Sequence, residues 1–235
     1  MGQYVVDWDV AGEKKYETGI KHVVLYPYTA GSGYKPGVAW NGVTNITEKP
    51  TGAEATALYA DDIKYLNLLS AEDLEASIEA YTYPDEFAEC DGSSEVISGV
   101  TVGQQDRKVF GLSYVTTYGN DLQNTAYGYK LHLVYGCSAS PSERSYATIN
   151  DSPEANQFSW EIKTTPVNVS GKKPTSIITI DSTKFKTDEE KARLNTLLQT
   201  LYGTPASTGT EEVPAELPDP DTVIGILRGT PNAEG

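Results

Sequence analysis

LNLLSAEDLEASIEAYTYPDEF, Leu66 to Phe87, carries two periodicities, and the choice between them decides the fold. Read as a helix, Leu66, Leu69, Asp73, Leu74, Ser77, Ile78 and Tyr81 fall at three- and four-residue spacing, but Asp73 and Ser77 spoil the apolar stripe. Read as a strand, the second half alternates without a break: Leu74, Ala76, Ile78 and Ala80 share one side, and Glu75, Ser77, Glu79 and Tyr81 the other. The stretch therefore divides into a strand through Leu69, a break near Ser70 to Glu72, a second strand, and a short helix started by PDEF. Only this reading makes a flat acidic sheet face, and such a face needs something to stand against.

The surrounding sequence has the same character. Val, Thr and 16 Tyr residues, interspersed with 21 Gly and 13 Pro, favour strands punctuated by turns. IKHVVLYPY (20–28) reads as a strand, followed by turn-rich sequence and a second strand around VAWNGVTNI (38–46). TEKPTGAEATALYADD (47–62) has no clean period and is expected to be a long loop, a feature usually functional in a compact domain. VFGLSYVTTYGND (109–121) and YGYKLHLVYG (127–136) form a hairpin candidate; FSWEIKTTPV and SIITI supply further strands. Two helices are expected, a short one over about 85–90 and a capped one over about 188–202, where Thr187 precedes acidic residues and Gly203 follows. The expected fold is thus mainly β, a sandwich or partial barrel over 20–203. Extended arms are expected at 1–19 and 204–235, carrying the isolated apolar clusters Tyr4, Val5, Val6, Trp8 and Val223, Ile224, Ile226, Leu227.

Charge and motif content exclude more than they select. A net charge of −15 over 235 residues argues against a phosphate-gripping surface, because that affinity comes from Lys and Arg displacing counterions. Cys90 and Cys137 lack metal-site spacing and read as free thiols in a reducing compartment. No run approaches the roughly 20 apolar residues of a membrane span, and MGQYVV reads neither as a signal-peptide core nor as an acylation site. Glu75 with Glu79, or Asp219 with Asp221, are coincidences expected among 33 acidic residues rather than acid/base pairs; an acidic hydrolase would require two carboxylates across a cleft. His22 and His132 sit in strands without a hydrolase or zinc motif, LPDPDT lacks the ligand offsets of a calcium loop, and no phosphate loop is present. The expectation is a non-enzyme without cofactor or metal. A β-rich core with unpartnered arms and a long loop fits a subunit completed by copies of itself; the alternative is a β-sandwich adhesin whose tyrosines stack on glycan.

Several long runs carry a resemblance: residues 38–92 (VAWNGVTN through AECDG), GVTVGQQDRKVFGLSY (99–114), YGYKLHLVYG (127–136), ASPSERSYATINDSPEA (139–155) and FSWEIKTTPV (158–167). Over roughly residues 20–202 the chain resembles the major tail proteins of long, non-contractile-tailed phages and prophages of Gram-positive bacteria. The resemblance implies a tail-tube subunit, made in the bacterial host cytoplasm and resident in the virion tail. Six copies would join their inner strands into a ring around a lumen. It also implies ring-stacking contacts from 47–62, with Glu48, Lys49, Glu54, Asp61 and Asp62 as candidates, arm contacts from 1–19 and 204–235, and tape measure and tail terminator or tip proteins as partners. The C-terminal tail is longer than the pattern. On this reading Glu75, Ser77, Glu79 and Glu161 are candidate lumen-facing residues. Six copies at −15 would make roughly −90 per ring, a wall that repels passing DNA without binding it.

Overall fold

The computed structural model describes residues 6–52, 54–146, 148, 149, 151, 155–206 and 211–229. Strands follow in the order β1 (Lys15–Thr29), β2 (Gly33–Tyr34), β3 (Val38–Ala39), β4 (Val43–Gly52), β5 (Ala55–Ala60), β6 (Ile63–Leu69) and β7 (Glu72–Ala80). Helix α1 (Phe87–Cys90) comes next, then β8 (Ser94–Ile97), β9 (Val100–Val102), β10 (Phe110–Asn120), β11 (Asn124–Ala139), β12 (Phe158–Thr164) and β13 (Ile177–Asp181), with α2 (Asp188–Tyr202) and α3 (Pro220–Arg228) last. The chain is mainly β, as its alternation predicts.

One antiparallel sheet runs β2-β1-β10-β11-β12-β7-β4, with β13 added to β11 and β3 to β1. It folds over on itself because β11 serves both layers. Lys130–Val134 pair with β13, and Cys137–Ala139 pair with β12. The changeover falls at Gly136, φ 61°, where a Cβ would stand 2.2 Å from the Thr165 carbonyl oxygen; only glycine admits this bend.

Both faces of β1, β10 and β11 are consequently covered. Leu25, Leu112 and Val134 meet Ile78, Trp160 and Ile162 of the β4-β7-β12 layer. Phe87 of α1 closes that core, 4.4 Å from Trp40 and 5.2 Å from Trp160 between ring centres. On the opposite face Tyr26, Leu131, Leu133 and Tyr135 pack beneath Leu197 and Leu201 of α2 and Val223 of α3. Burial on both faces explains why YGYKLHLVYG is apolar on one side and carries buried Val134 and His132 on the other.

The helix over 188–202 has its expected bounds, and Thr187 and Glu190 form a reciprocal capping box. The first helix starts at Phe87, two residues later than its Asp85 boundary in sequence.

Three expectations need correction. Residues 47–62 are not a loop: β4 runs to Gly52 and β5 takes up the ladder at Ala55. The segment lacks a period because it leaves the body, so little of it is buried to impose alternation. The N-terminal segment is not an arm throughout, since Lys15–Thr18 pair with Asn120–Thr117 of β10. The C-terminal segment is not extended. Asp219 caps α3 through the Thr222 amide, Pro220 occupies its first turn, and Gly229 ends it at φ 76°. Val223, Ile226 and Leu227 fall at i, i+3 and i+4 and pack into the chain's own core, with Ile224 half-buried beside them.

Candidate functional site

The outer face of β7 carries Glu75, Ser77 and Glu79, and its neighbours complete three cross-strand rows. Lys49, Glu75 and Lys163 lie in register, as do Thr47, Ser77 and Glu161, and Asn45, Glu79 and Ser159. Glu75 and Glu79 are half-buried, and Ser77 is covered by its longer neighbours. Glu161 is not a bare acid: Lys49 Nζ donates to both of its carboxylate oxygens at 3.1 Å. Both side chains of this pair are about half exposed, so it contributes little stability, on the order of 0–1 kcal/mol. The face is therefore less uniformly acidic than its β7 residues suggest. Lys49 and Lys163 flank Glu75 in register, which the sequence of one strand cannot reveal.

Glu48, expected among ring-stacking contacts, points the other way. It stands opposite Ala76 on the inward side of β4, and Tyr114 Oη donates to its carboxylate across the sandwich. His132 Nδ1 is 3.3 Å from Glu48 Oε1, off the line a hydrogen bond requires, and the contact becomes an ion pair only when the imidazole is protonated. The imidazole stacks on Tyr114 at 4.7 Å and 5°, and its Nε2 meets Thr116 Oγ1 at 3.1 Å and Glu17 Oε1 at 3.4 Å. Lys130 closes the cluster on Glu17 at 2.5 Å. The contact with His132 and the Tyr114 hydroxyl hold the Glu48 carboxyl below the ordinary carboxylate range. Burial raises the Glu17 carboxyl, but the Lys130 and Thr116 hydrogen bonds outweigh it and leave it lowered as well. Burial and the neighbouring Glu48 push the Tyr114 hydroxyl far up. An inward charge on an edge strand is a recognised guard against uncontrolled pairing, and here it is also a tie between the two layers.

Strand β4 is the last in the sheet path, leaving the far edge of its ten residues without a strand partner among the described residues. Beyond it β5 and β6 form a two-stranded ribbon that pairs with no other described strand. Its apolar side chains stand in solvent: Tyr59 is 71% exposed, Ile63 67%, Tyr65 69% and Leu69 73%. Glu54 lies at its base, and Asp61 and Asp62 form its turn, both with positive φ. That combination suits the two central positions of a primed hairpin turn. A lone two-stranded ribbon is marginal in water, so this one lacks the packing that would support it. Sequence reading missed a second exposed hairpin, β8 with β9, bearing Val96 and Ile97. Its strands are too short for periodicity to register.

Of the N-terminal candidates, Val6 and Trp8 are exposed, whereas Tyr4 lies outside the described residues. Asp219 and Asp221 serve structure, one capping α3 and the other accepting from Ser170 N and Oγ. Cys90 and Cys137 are buried free thiols, each pushed up by burial, Cys90 to about 12. Among the described residues no group of three or more His, Cys, Asp or Glu side chains is arranged to hold a metal. No helix there is long and apolar enough to cross a membrane. No family model matches the chain, and no curated protein matches it in sequence.

Proposed function

We propose that this chain is a structural subunit that assembles with copies of itself into a tube, the tail tube of a phage virion, through which DNA passes. The observation that carries this reading is the β5–β6 ribbon, whose large apolar side chains Tyr59, Ile63, Tyr65 and Leu69 stand together in solvent. An exposed apolar patch of this kind marks a surface that is covered in the working state. The open edge of β4 beside it supports the same reading, because a free edge of this length is a template for another strand. In the tube, β4, β7 and β12 form the inner wall and their outer rows face the lumen. There, carboxylates outnumber lysines and each lysine has an acidic neighbour, so passing phosphates meet repulsion rather than cationic traps. Tape measure and tail terminator or tip proteins are the partners the resemblance implies, and the six-membered ring likewise rests on it.

Negative-stain microscopy of the purified protein tests the reading: rings and stacked tubes are expected. A species that stays monomeric at high concentration, with a tail-assembly template also present, overturns it.

A further inference from the structure

A groove of about 490 Å³ opens at the start of β4, with Trp40 and Val24 at its floor and Ile20, Val43 and Tyr202 on its walls. Lys21 and His22 also line it, and both are solvent-exposed. They are brought there by an irregularity in β1, whose pairing with β10 shifts register between Thr18 and Lys21 and again between Lys21 and Val24. His22 has φ 54°, the left-handed region, and its ring meets the edge of Tyr202, at 6.3 Å. Bulges of this kind re-aim side chains at working surfaces. Among the described residues Lys21 has no ion pair, and neither do Asp61 and Asp62 at the ribbon tip. Lys64, the nearest cation in sequence, stands opposite Tyr59 on the strands rather than in the turn.

The groove and the tip therefore complement one another. One is apolar with a basic rim; the other is a narrow hairpin with Tyr59, Ile63 and Tyr65 exposed around two unpaired acids. They lie at opposite ends of one strand pair, because the groove is at Val43 and the ribbon departs beyond Gly52. No copy can satisfy its own groove with its own tip. We propose that the hairpin tip Tyr59–Tyr65 of one copy seats in the Trp40–Val43–Tyr202 groove of the next, with Asp61 and Asp62 facing Lys21 and His22. The inference rests on the self-assembly reading and names the surface that receives the ribbon. Such a contact is head-to-tail and uses different patches on the two copies, so repetition extends a stack instead of closing a dimer. The repeat along the stack cannot exceed the groove-to-tip span, at most ~60 Å for eighteen extended residues.

Charge exchange tests it. D61K/D62K and K21E are each expected to raise the concentration needed for assembly by about tenfold or more, and the combination of all three is expected to recover most of the loss, because like charges across a contact repel and their exchange restores attraction. Circular dichroism of each variant as monomer should match the parent, since all three side chains are exposed, and D61N/D62N, which keeps residues suited to the positive-φ turn, should weaken assembly in the same direction if charge rather than turn strain is the cause. Normal assembly of D61K/D62K overturns the proposal. Defective assembly that K21E leaves unrescued also overturns it, while leaving self-assembly standing; a parent protein that never assembles overturns the underlying reading instead. Mixing D62C with K21C copies supplies a second readout, an intermolecular disulfide in the mixture and in neither variant alone.

Discussion

Val223→Ala separates the two roles open to the C-terminal segment, intermolecular arm or part of the core. Val223 has 0% exposure and packs with Leu197, Leu201 and Leu217 beneath α2 and α3. The substitution removes two methyl groups from a closed site, which costs about 1.6 kcal/mol in transfer free energy and somewhat more for the residual cavity, about 2 kcal/mol together. For a domain of this size that lowers the thermal midpoint by roughly 4–8 °C. Ile224, half-buried on the neighbouring face, provides the contrast: Ile224→Ala should cost less than half as much. Both are measured by thermal unfolding of dilute, unassembled protein, so that intersubunit contacts contribute nothing. If Val223→Ala leaves the midpoint unchanged but abolishes assembly, the helix does not belong to the folded subunit and the packing described for α3 is refuted.

Glu48 and Glu17 have lowered folded-state carboxyl pKa values, so their contribution is present above the ordinary value of 4.5 and is lost as pH falls through the folded values. The urea midpoint should fall below pH 4.5, and Glu48→Gln should flatten that fall; an unchanged acid slope would show that the tie to His132 and Tyr114 does not contribute. Gly136→Ala should destabilise the subunit by about 1–3 kcal/mol, since it forces a side chain into a positive-φ position against the Thr165 carbonyl; near-parent stability in denaturant titration would contradict the β11 bend. Replacing Glu75 and Glu79 together by Lys should permit tubes but slow DNA ejection, and ejection at the parental rate would argue against a lumenal position for this face.

The β-rich class was legible because Leu74–Ala80 and Phe158–Ile162 each turn an apolar side to the core and a polar side away from it, which prints a period of two on the sequence. α2 was legible because its cap and its stop are local signals. Where neither condition holds, reading failed. β5 buries almost nothing within the subunit, so no period marks it, although its partner β6 is the strand through Leu69 that the sequence does show. α3 is nine residues between prolines, and its apolar face becomes informative only once Leu197 and Leu201 are known to lie beneath it. The acidic face was half legible: Glu75 and Glu79 follow from β7 alone, but their lysine neighbours come from β4 and β12 through register. Glu48 on the inner side illustrates the same limit, because its partners lie 66 and 84 residues away in the sequence.

The ladder joining β4 to β7 and β5 to β6 also sets how the subunit carries force. A pull along the ribbon loads its successive backbone hydrogen bonds in parallel, as shear, and no single bond bears it alone. A sideways load meets a weak point, because pairing lapses between Gly52–Glu72 and Ala55–Leu69, where the Glu54 and Ser70 contacts are all that bridge the gap among the described residues. The tube proposed above, built from such units, would be stiff in tension and compliant in bending, with its flexure concentrated at one joint in every subunit.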